Sequence, residues 1–146
     1  MAAPVDALAI FKTATNLAAA GNSDILDLGV AGHKLCEAVI DVSVLTLDDS
    51  NNDVLWKCYV QLSPDSDFGT AANIRDVACL ELGNAEVIHG GADSVTGRYY
   101  IPFRNSFPDA STGVPTPLRY ARLSWTVADN ETGGMTYAGY LLPVKD

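Results

Sequence analysis

The chain has 146 residues, of which 48% are hydrophobic and 18% charged, a composition typical of one globular domain with a core. Its formal net charge is −9, which argues against nucleic-acid binding because phosphate backbones are bound by clustered Lys and Arg. No stretch approaches the ~20 apolar residues that a membrane-spanning helix requires, so we expect no membrane partner.

Residues 1–23 are predicted to form an N-terminal arm. Their alanine-rich composition suits a helix by propensity, but a partly extended arm lying along a neighbouring subunit is the preferred interpretation. The segment lacks the basic start and the long apolar run of a signal peptide, which predicts synthesis in a cytoplasm. Cys36, Cys58 and Cys79 have no disulfide-like spacing and are predicted to be small buried hydrophobic residues.

After residue 24 apolar residues recur with a period of two, which predicts β-strands. AVIDVSVLTL (38–47) places Ile40, Val42 and Val44 on one face. VLWKCYVQL (54–62) and RYARLSWTV (119–127) alternate more cleanly, so each should bury one face in an antiparallel sheet. Weaker strands are predicted at DILDL (24–28), DVACLEL (76–82), AEVIH (85–89), RYYIPF (98–103) and MTYAGYLL (135–142).

Turn-forming clusters separate these strands, and the longest irregular stretch, 103–117, contains three prolines. Pro102 cannot donate a ladder hydrogen bond, so its strand should end there or lie at a sheet edge. The last two strands, joined by ADNETGG, are predicted to form a hairpin. Seven or eight short strands without alternating helices predict an all-β fold, a jelly-roll-like antiparallel sandwich that occupies residues 24–146 as a single domain.

No residue pattern points to a catalytic or metal centre. The D-x-N-x-D that begins at Asp49 lacks the Gly and the Glu of a calcium loop. His33 and Cys36 have no further ligand at a recognised zinc spacing. The DFG at 67–69 stands alone and is expected to be a turn, and no G-x-S-x-G motif is present. We therefore predict no catalytic residues, no metal and no other cofactor.

The polar face of RYARLSWTV carries Tyr120 and Arg122, and both residue types are enriched at protein interfaces. Tyr100 and Tyr137, from two other strands, complete the predicted interface. Long loops in compact domains are often functional, so the Pro-containing stretch is a second candidate. Its predicted interface residues are Phe107, Pro108, Val114 and Pro115.

Several segments carry a resemblance to a known family. They are DILDLG (24–29), AVIDVSVLTL, VQLSPDSDFG (60–69) and the ending RYARLSWTVADNETGGMTYAGYLL. The ending is the most specific, with RY-x-RL-x-(aromatic)-TV followed by T-x-AG-x-L-L. In this order the segments resemble the cement (head-decoration) proteins of short-tailed bacteriophages, the group typified by the Bordetella phage and epsilon15-like cement proteins. The resemblance covers most of residues 17–142.

The resemblance implies a β jelly roll without catalytic activity that binds the outside of an icosahedral capsid. The implied partners are the major capsid protein, whose neighbouring copies it would bridge, and itself, as a homodimer or another homo-oligomer. The implied location is the virion exterior, after synthesis in the host cytoplasm. The alternative is a receptor- or carbohydrate-binding jelly-roll module of a phage tail. Two or more tyrosines in a row on one exposed face would favour that alternative, and the candidates are Tyr99, Tyr100, Tyr137 and Tyr140.

Overall fold

The computed structural model describes residues 10–29, 34–47, 51–88, 90–129 and 133–145, and of residues 143–145 it describes the backbone alone. This part of the chain is built almost entirely of β-strands, with one short helix, α1 (Ala85–Ile88), and one 3-10 turn (Ala71–Asn73). In chain order the strands are β1 Ile10–Leu17, β2 Gly21–Asn22, β3 Leu26–Asp27, β4 Leu35–Leu45, β5 Leu55–Ser63, β6 Arg75–Gly83, β7 Gly97–Arg104, β8 Ser106–Pro108, β9 Pro115–Pro117, β10 Tyr120–Ala128 and β11 Met135–Lys145.

The strands form two larger sheets and one small hairpin. Sheet 1 has the order β1–β11–β4–β7, and sheet 2 has the order β2–β10–β5–β6, with β3 also pairing with β10. The separate hairpin pairs β8 with β9. All of these pairings are antiparallel, so the predicted all-β antiparallel sandwich is confirmed. Strand β7, which contains Pro102, lies at an edge of sheet 1, as predicted.

The core lies between the two sheets, and β5 and β10 show how alternation builds it. On β5, Trp56, Cys58 and Val60 are fully buried, whereas Lys57 and Tyr59 between them are half-buried on the outer face. The alternation of β10 likewise turns its first Ala, its Leu and its Trp inward and leaves its polar side chains outside. The two cleanest predicted strands are therefore confirmed, together with the face that each one buries.

On β4 the predicted face changes partway along the strand. Ile40 and Val42 face the core, but Val44, predicted to share their face, pairs with Thr136 on the outer side of sheet 1 and is 43% exposed. The pairing with β11 shifts between these residues because Ser43 is an extra residue on β4. A bulge of this kind reverses the side to which the following residue points.

The boundary predicted for the arm does not coincide with the strands. Residues 10–17 form β1, which pairs with β11 in sheet 1, and Phe11 is fully buried in the core. Gly21 and Asn22 pair with β10 in sheet 2. Residues 10–22 therefore belong to the sandwich and are extended, not helical, from 10 to 17, whereas residues 1–9 lie outside the described part of the chain.

The strand predicted at AEVIH is wrong, because residues 85–88 form α1 and His89 lies outside the described residues. The strand before it ends at Gly83, where a Cβ would lie 2.2 Å from the Val54 carbonyl oxygen. The next residue, Asn84, accepts the Val54 N–H with its side chain, at 3.1 Å. Its backbone carbonyl accepts the N–H groups of Val87 and Ile88, which turns the chain into a helix.

The hairpin predicted for the last two strands is also wrong, because β10 belongs to sheet 2 and β11 to sheet 1. Their inward faces meet across the core, with the Trp125 and Tyr137 rings 5.2 Å apart. An alternating pattern is the same whether two strands lie side by side or face each other across a sandwich, so the sequence did not distinguish these arrangements.

The prediction for the cysteines holds for Cys36 and Cys58, which are buried, whereas Cys79 is exposed on β6.

Candidate protein interface

Three arginine side chains stack on aromatic rings at one end of sheet 2, where β5 ends and β6 and β10 begin. The distances from guanidinium carbon to ring centroid are 4.4 Å for Arg122 over Phe68, 5.3 Å for Arg119 over Tyr120 and 5.5 Å for Arg75 over Phe107. Such contacts hold the planar guanidinium groups in place before a partner binds. The arginine side chains therefore lose less conformational entropy on binding than free side chains would. We call these three pairs the arginine end.

The strand register brings the three pairs together. Tyr120 pairs with Ser63 at the last residue of β5, and Arg75 pairs with Leu62 at the first residue of β6. Arg122 lies on the outer face of sheet 2, whereas Arg75, opposite the inward-facing Leu62, reaches towards the β8–β9 hairpin. The arginine end therefore includes both the edge of the outer face and the adjacent end of the sandwich.

Arg122 belongs to a polar chain that crosses three strands. Its Nε donates to Oε1 of Gln61 at 2.9 Å, and Nε2 of Gln61 donates to Oδ1 of Asp76 at 2.8 Å. The ring of Phe68, which the turn after β5 folds back onto the sheet, covers one side of the guanidinium. Partial burial lowers the pKa of Arg122 from its ordinary value, and nearby Asp76 opposes that effect. Arg122 stays charged, and among the described residues it forms no direct ion pair with a carboxylate.

Arg119 is held by a bidentate ion pair with Asp27 on β3, with N–O distances of 2.8 and 2.7 Å. Asp27 also accepts the Gly29 N–H, at 2.8 Å. These hydrogen bonds, chiefly that of Arg119, lower the pKa of Asp27 from 3.8 to about 2. The pair ties the start of β10 to the edge strand and orients the guanidinium over the Tyr120 ring.

Arg75 forms one wall of an open groove of about 180 Å³ between the turn after β5 and the hairpin. Its Nη1 donates to the carbonyls of Ala72 and Ile74, at 2.5 and 3.1 Å. The groove combines a cation with largely apolar walls, and such a surface suits a protein partner. It is lined by Pro64, Asn73, Arg75, Phe107, Pro108, Asp109, Ala110, Thr116 and Leu118.

The β8–β9 hairpin is anchored at its base and exposed at its tip. Buried Asn105 donates its backbone N–H to the Lys34 carbonyl and accepts the N–H of Leu118, at 3.1 and 2.6 Å. At the tip, Asp109 accepts hydrogen bonds from the hydroxyl and N–H of Ser111, which with further bonds lower its pKa to about 2. Val114 follows this turn and is one of the most exposed large apolar side chains among the described residues.

The structure brings together four of the eight predicted interface residues: Tyr120, Arg122, Phe107 and Pro108. Pro115 pairs with Pro108 on the same hairpin, Val114 precedes it, and both are exposed. Tyr100 is on the outer face of sheet 1, on the other side of the molecule. Tyr137 is wrong as an interface residue, since its ring is buried in the core against Trp125.

Sequence reasoning missed Phe68, Arg75 and Arg119. The DFG was identified as a turn, and the N–H of Gly69 does donate to Oδ1 of Asp67 at 2.8 Å, but nothing in the tripeptide indicated that its Phe would lie under Arg122. The usable signal was the position of Arg119 at the start of one predicted strand and of Arg75 directly before another, where long side chains can reach past the sheet.

No family model matches the chain. Within residues 10–29, 34–47, 51–88, 90–129 and 133–145, no group of three or more His, Cys, Asp or Glu side chains is arranged to hold a metal ion. His33 and Asp49, two residues weighed as ligands, lie outside those ranges. The same ranges contain no helix long and apolar enough to cross a membrane.

Proposed function

We propose that the protein is a structural virion component, a capsid cement or decoration protein that binds the outside of an icosahedral phage head and stabilises contacts between major capsid proteins. The observation that carries the proposal is the arginine end, in which three stacked guanidinium groups adjoin an exposed, anchored hairpin. Arg, Trp and Tyr are enriched among the few residues that contribute most of the binding energy of protein interfaces. The proposal assigns the protein no catalytic activity and no cofactor.

The order of strands supports the jelly-roll part of the proposal. Strands β1, β4, β7 and β11 lie in sheet 1, and the long strands between them, β5, β6 and β10, lie in sheet 2. Passing repeatedly from one sheet to the other is how a jelly roll is wound. Jelly rolls have many functions, so the fold alone does not separate a cement protein from a binding module.

The arginine end also suits binding to a capsid, which presents many identical sites in a lattice. Each copy needs only a modest interface with the capsid, because contacts with several neighbouring subunits multiply the overall affinity. The acidic net charge of −9 would limit association between particles that carry many copies. A major capsid protein with acidic and apolar side chains around the contact would complement Arg122 and the groove beside Arg75.

The second candidate is a carbohydrate-binding module of a phage tail, and one observation favours it. Tyr140 and Tyr100 lie in one cross-strand row on the outer face of sheet 1, with Val39 between them. Tyrosine rings in a row are the arrangement expected for a sugar platform. The other two tyrosines of the predicted platform do not join them, because Tyr99 and Tyr137 face inward.

Two measurements test the proposal. The first is copy number, by quantitative mass spectrometry on purified particles from the phage that encodes the chain. A number comparable to that of the major capsid protein supports cement, a handful of copies moves the protein to the tail, and absence removes both assignments.

The second measurement is binding to capsids assembled without this protein. Arg122→Ala should keep a melting temperature near that of the native protein and weaken capsid binding by about tenfold or more, as expected for a central interface arginine. The matched control is Lys57→Ala, which removes a cation from the same outer face, opposite Thr126 near the far end of β10. An Arg122→Ala variant that folds and binds like the native protein would remove Arg122 from the interface.

A further inference from the structure

Arg75 is held in a fixed position in its groove, yet part of its guanidinium group is unused. Its Nη1 donates to the carbonyl oxygens of Ala72 and Ile74, and the guanidinium carbon lies 5.5 Å from the centroid of the Phe107 ring. Among the described residues, Nε and Nη2 of Arg75 have no hydrogen-bond acceptor and no carboxylate within ion-pair distance. The side chain is therefore anchored through Nη1, and its remaining N–H groups are free to donate to a ligand.

Two other arginines of the chain show what the Nε–Nη2 edge of the guanidinium binds. Arg98 and Arg119 each bind an aspartate through Nε and Nη2, with N–O distances between 2.6 and 3.1 Å. The N–H groups on this edge are parallel and match the two oxygens of a carboxylate. At the arginine end, Arg119 has filled this edge with its aspartate, and Arg122 donates its Nε to Gln61. Of the three arginines there, Arg75 is the one whose edge is still available.

The lack of an internal partner for Arg75 stands out because the chain is so acidic. It has 18 Asp and Glu residues against 9 Lys and Arg residues. Asp109 lines the same groove, but its Oδ1 accepts hydrogen bonds from the hydroxyl and N–H of Ser111 and from the N–H of Thr112. The guanidinium of Arg75 therefore has its complement in a carboxylate supplied by a partner.

The groove beside Arg75 has the size of one or two side chains. Its volume is about 180 Å³, whereas the sites of cofactors and drug-sized molecules span roughly 300–1,000 Å³. Its other walls are largely apolar and include Pro64, Phe107, Pro108 and Leu118. Because the groove is open, a ligand can extend beyond it. These features fit a peptide that places one acidic and one neighbouring apolar side chain in the groove.

We propose that this groove binds an extended peptide segment in which a Glu or Asp residue is flanked by apolar residues. The carboxylate accepts hydrogen bonds from Nε and Nη2 of Arg75, and a neighbouring apolar side chain packs against Phe107 and the prolines. The inference deepens the proposed function and rests on it for the source of the peptide, a surface segment of the major capsid protein. The recognition chemistry does not depend on that source and can be tested without capsids.

The test is an NMR titration of the full chain in which the side-chain Nε–H signals of the arginines are observed directly. The probes are two pools of blocked pentapeptides, Ac-X-X-Glu-X-X-NH2 and Ac-X-X-Gln-X-X-NH2, in which X is Ala, Leu, Phe or Pro. The blocked ends leave the central carboxylate of the Glu pool as its only charge. The Glu pool should shift the Nε–H signal of Arg75 and the backbone amide signals of Phe107 and Leu118, and the Gln pool should bind about tenfold more weakly.

Two variants separate bidentate binding from simple attraction between charges. Arg75→Lys keeps the positive charge but lacks the paired N–H groups, so it should weaken binding of the Glu pool by about tenfold. The matched control is Arg104→Gln, which removes a positive charge at the last residue of β7, outside the groove lining. It should change the affinity by less than about twofold, since salt screens exposed charges. Both variants should keep a melting temperature near that of the native chain, because neither residue belongs to the core.

Each of the other results overturns the proposal. If the Glu pool leaves the Nε–H signal of Arg75 unmoved at millimolar concentration, the groove is not a carboxylate site. If sodium acetate moves that signal as strongly at equal carboxylate concentration, the groove binds free carboxylates and the peptide is not its ligand. If Arg75→Lys binds the Glu pool as tightly as the native chain, the Nε–Nη2 edge is not used.

The peptide titration and the capsid experiment can fail separately. A native chain that binds the Glu pool but not capsids keeps this groove as a peptide site and loses the cement function. A native chain that binds capsids but not the Glu pool keeps the cement function and removes the groove from the contact.

Discussion

Replacing Trp56 by phenylalanine should destabilise the protein far less than replacing it by alanine. Trp56 is fully buried on β5, and its ring lies edge-on to that of Trp125 with centroids 6.3 Å apart. Its indole N–H has no hydrogen-bond partner among the described residues. Removing the whole ring leaves a cavity, and we expect Trp56→Ala to lower the free energy of unfolding by about 3–5 kcal/mol.

The Phe variant differs in two respects. Its ring fills most of the space and keeps an edge-on aromatic contact, which contributes ~0.5–1.5 kcal/mol. It also removes a buried donor whose loss of hydration costs about 1–3 kcal/mol when it is unpaired. These two effects offset much of the energetic cost of the smaller cavity. We therefore expect Trp56→Phe to lower the free energy of unfolding by less than about 2 kcal/mol.

The assay is urea unfolding followed by far-UV circular dichroism, with linear extrapolation to water at one fixed protein concentration. If Trp56→Phe is as destabilising as Trp56→Ala, the indole N–H is bonded in the native protein and the reasoning fails.

Two further predictions concern packing and pH. Gly139→Ala should lower the free energy of unfolding by about 1–3 kcal/mol, because its Cβ would lie 2.7 Å from Cδ1 of Leu123 across the core. The control Gly91→Ala should be nearly neutral, because no atom lies within 4 Å of its Cβ. Equal melting temperatures for the two variants would contradict the close approach of the sheets at Gly139. The pKa of Asp27 is lowered from 3.8 to about 2 by Arg119, so its carboxylate stabilises the fold above the unfolded pKa, and this contribution is lost as the pH falls through about 2. The difference in unfolding free energy between the native chain and Asp27→Asn should shrink from pH 4 to pH 2, and a constant difference would show that the ion pair does not stabilise the fold.

Strands with strict alternation could be predicted from the sequence, and so could the face that each one buries. The predictions for β5 and β10 are confirmed because a strand with one face packed against a core must turn all the apolar residues of its period-two pattern to that face. On β4 the same rule fails at Val44, because a single bulged residue reverses the side of the sheet to which Val44 points. Nothing in the neighbouring sequence indicates the bulge. Residues 85–88 fail for a different reason: their helix depends on hydrogen bonds that Asn84 makes to Val54, 30 residues earlier in the chain.

The candidate interface was predictable only in part. Arg122 and Tyr120 were found because they share the polar face of one strand. Their relation to Phe68 and Phe107 depends on which strands meet at one end of the sandwich, and periodicity does not give strand order. Tyr137 shows the converse: an amphipathic aromatic residue looks the same in sequence whether its strand turns it into the core or out to a partner.

The position of β11 has a consequence for how the chain folds. It lies between β1 and β4 in sheet 1, and it pairs Tyr140 with Ile10 from the opposite end of the described chain. During synthesis β1 therefore has no neighbour in its sheet until β11 leaves the ribosome, and Phe11 cannot yet be buried. Folding should be slow and should wait for the synthesis of β11, as expected for pairings so distant in sequence. Any truncation that removes β11 should leave an aggregation-prone chain with two unpaired strand edges, not a smaller folded one.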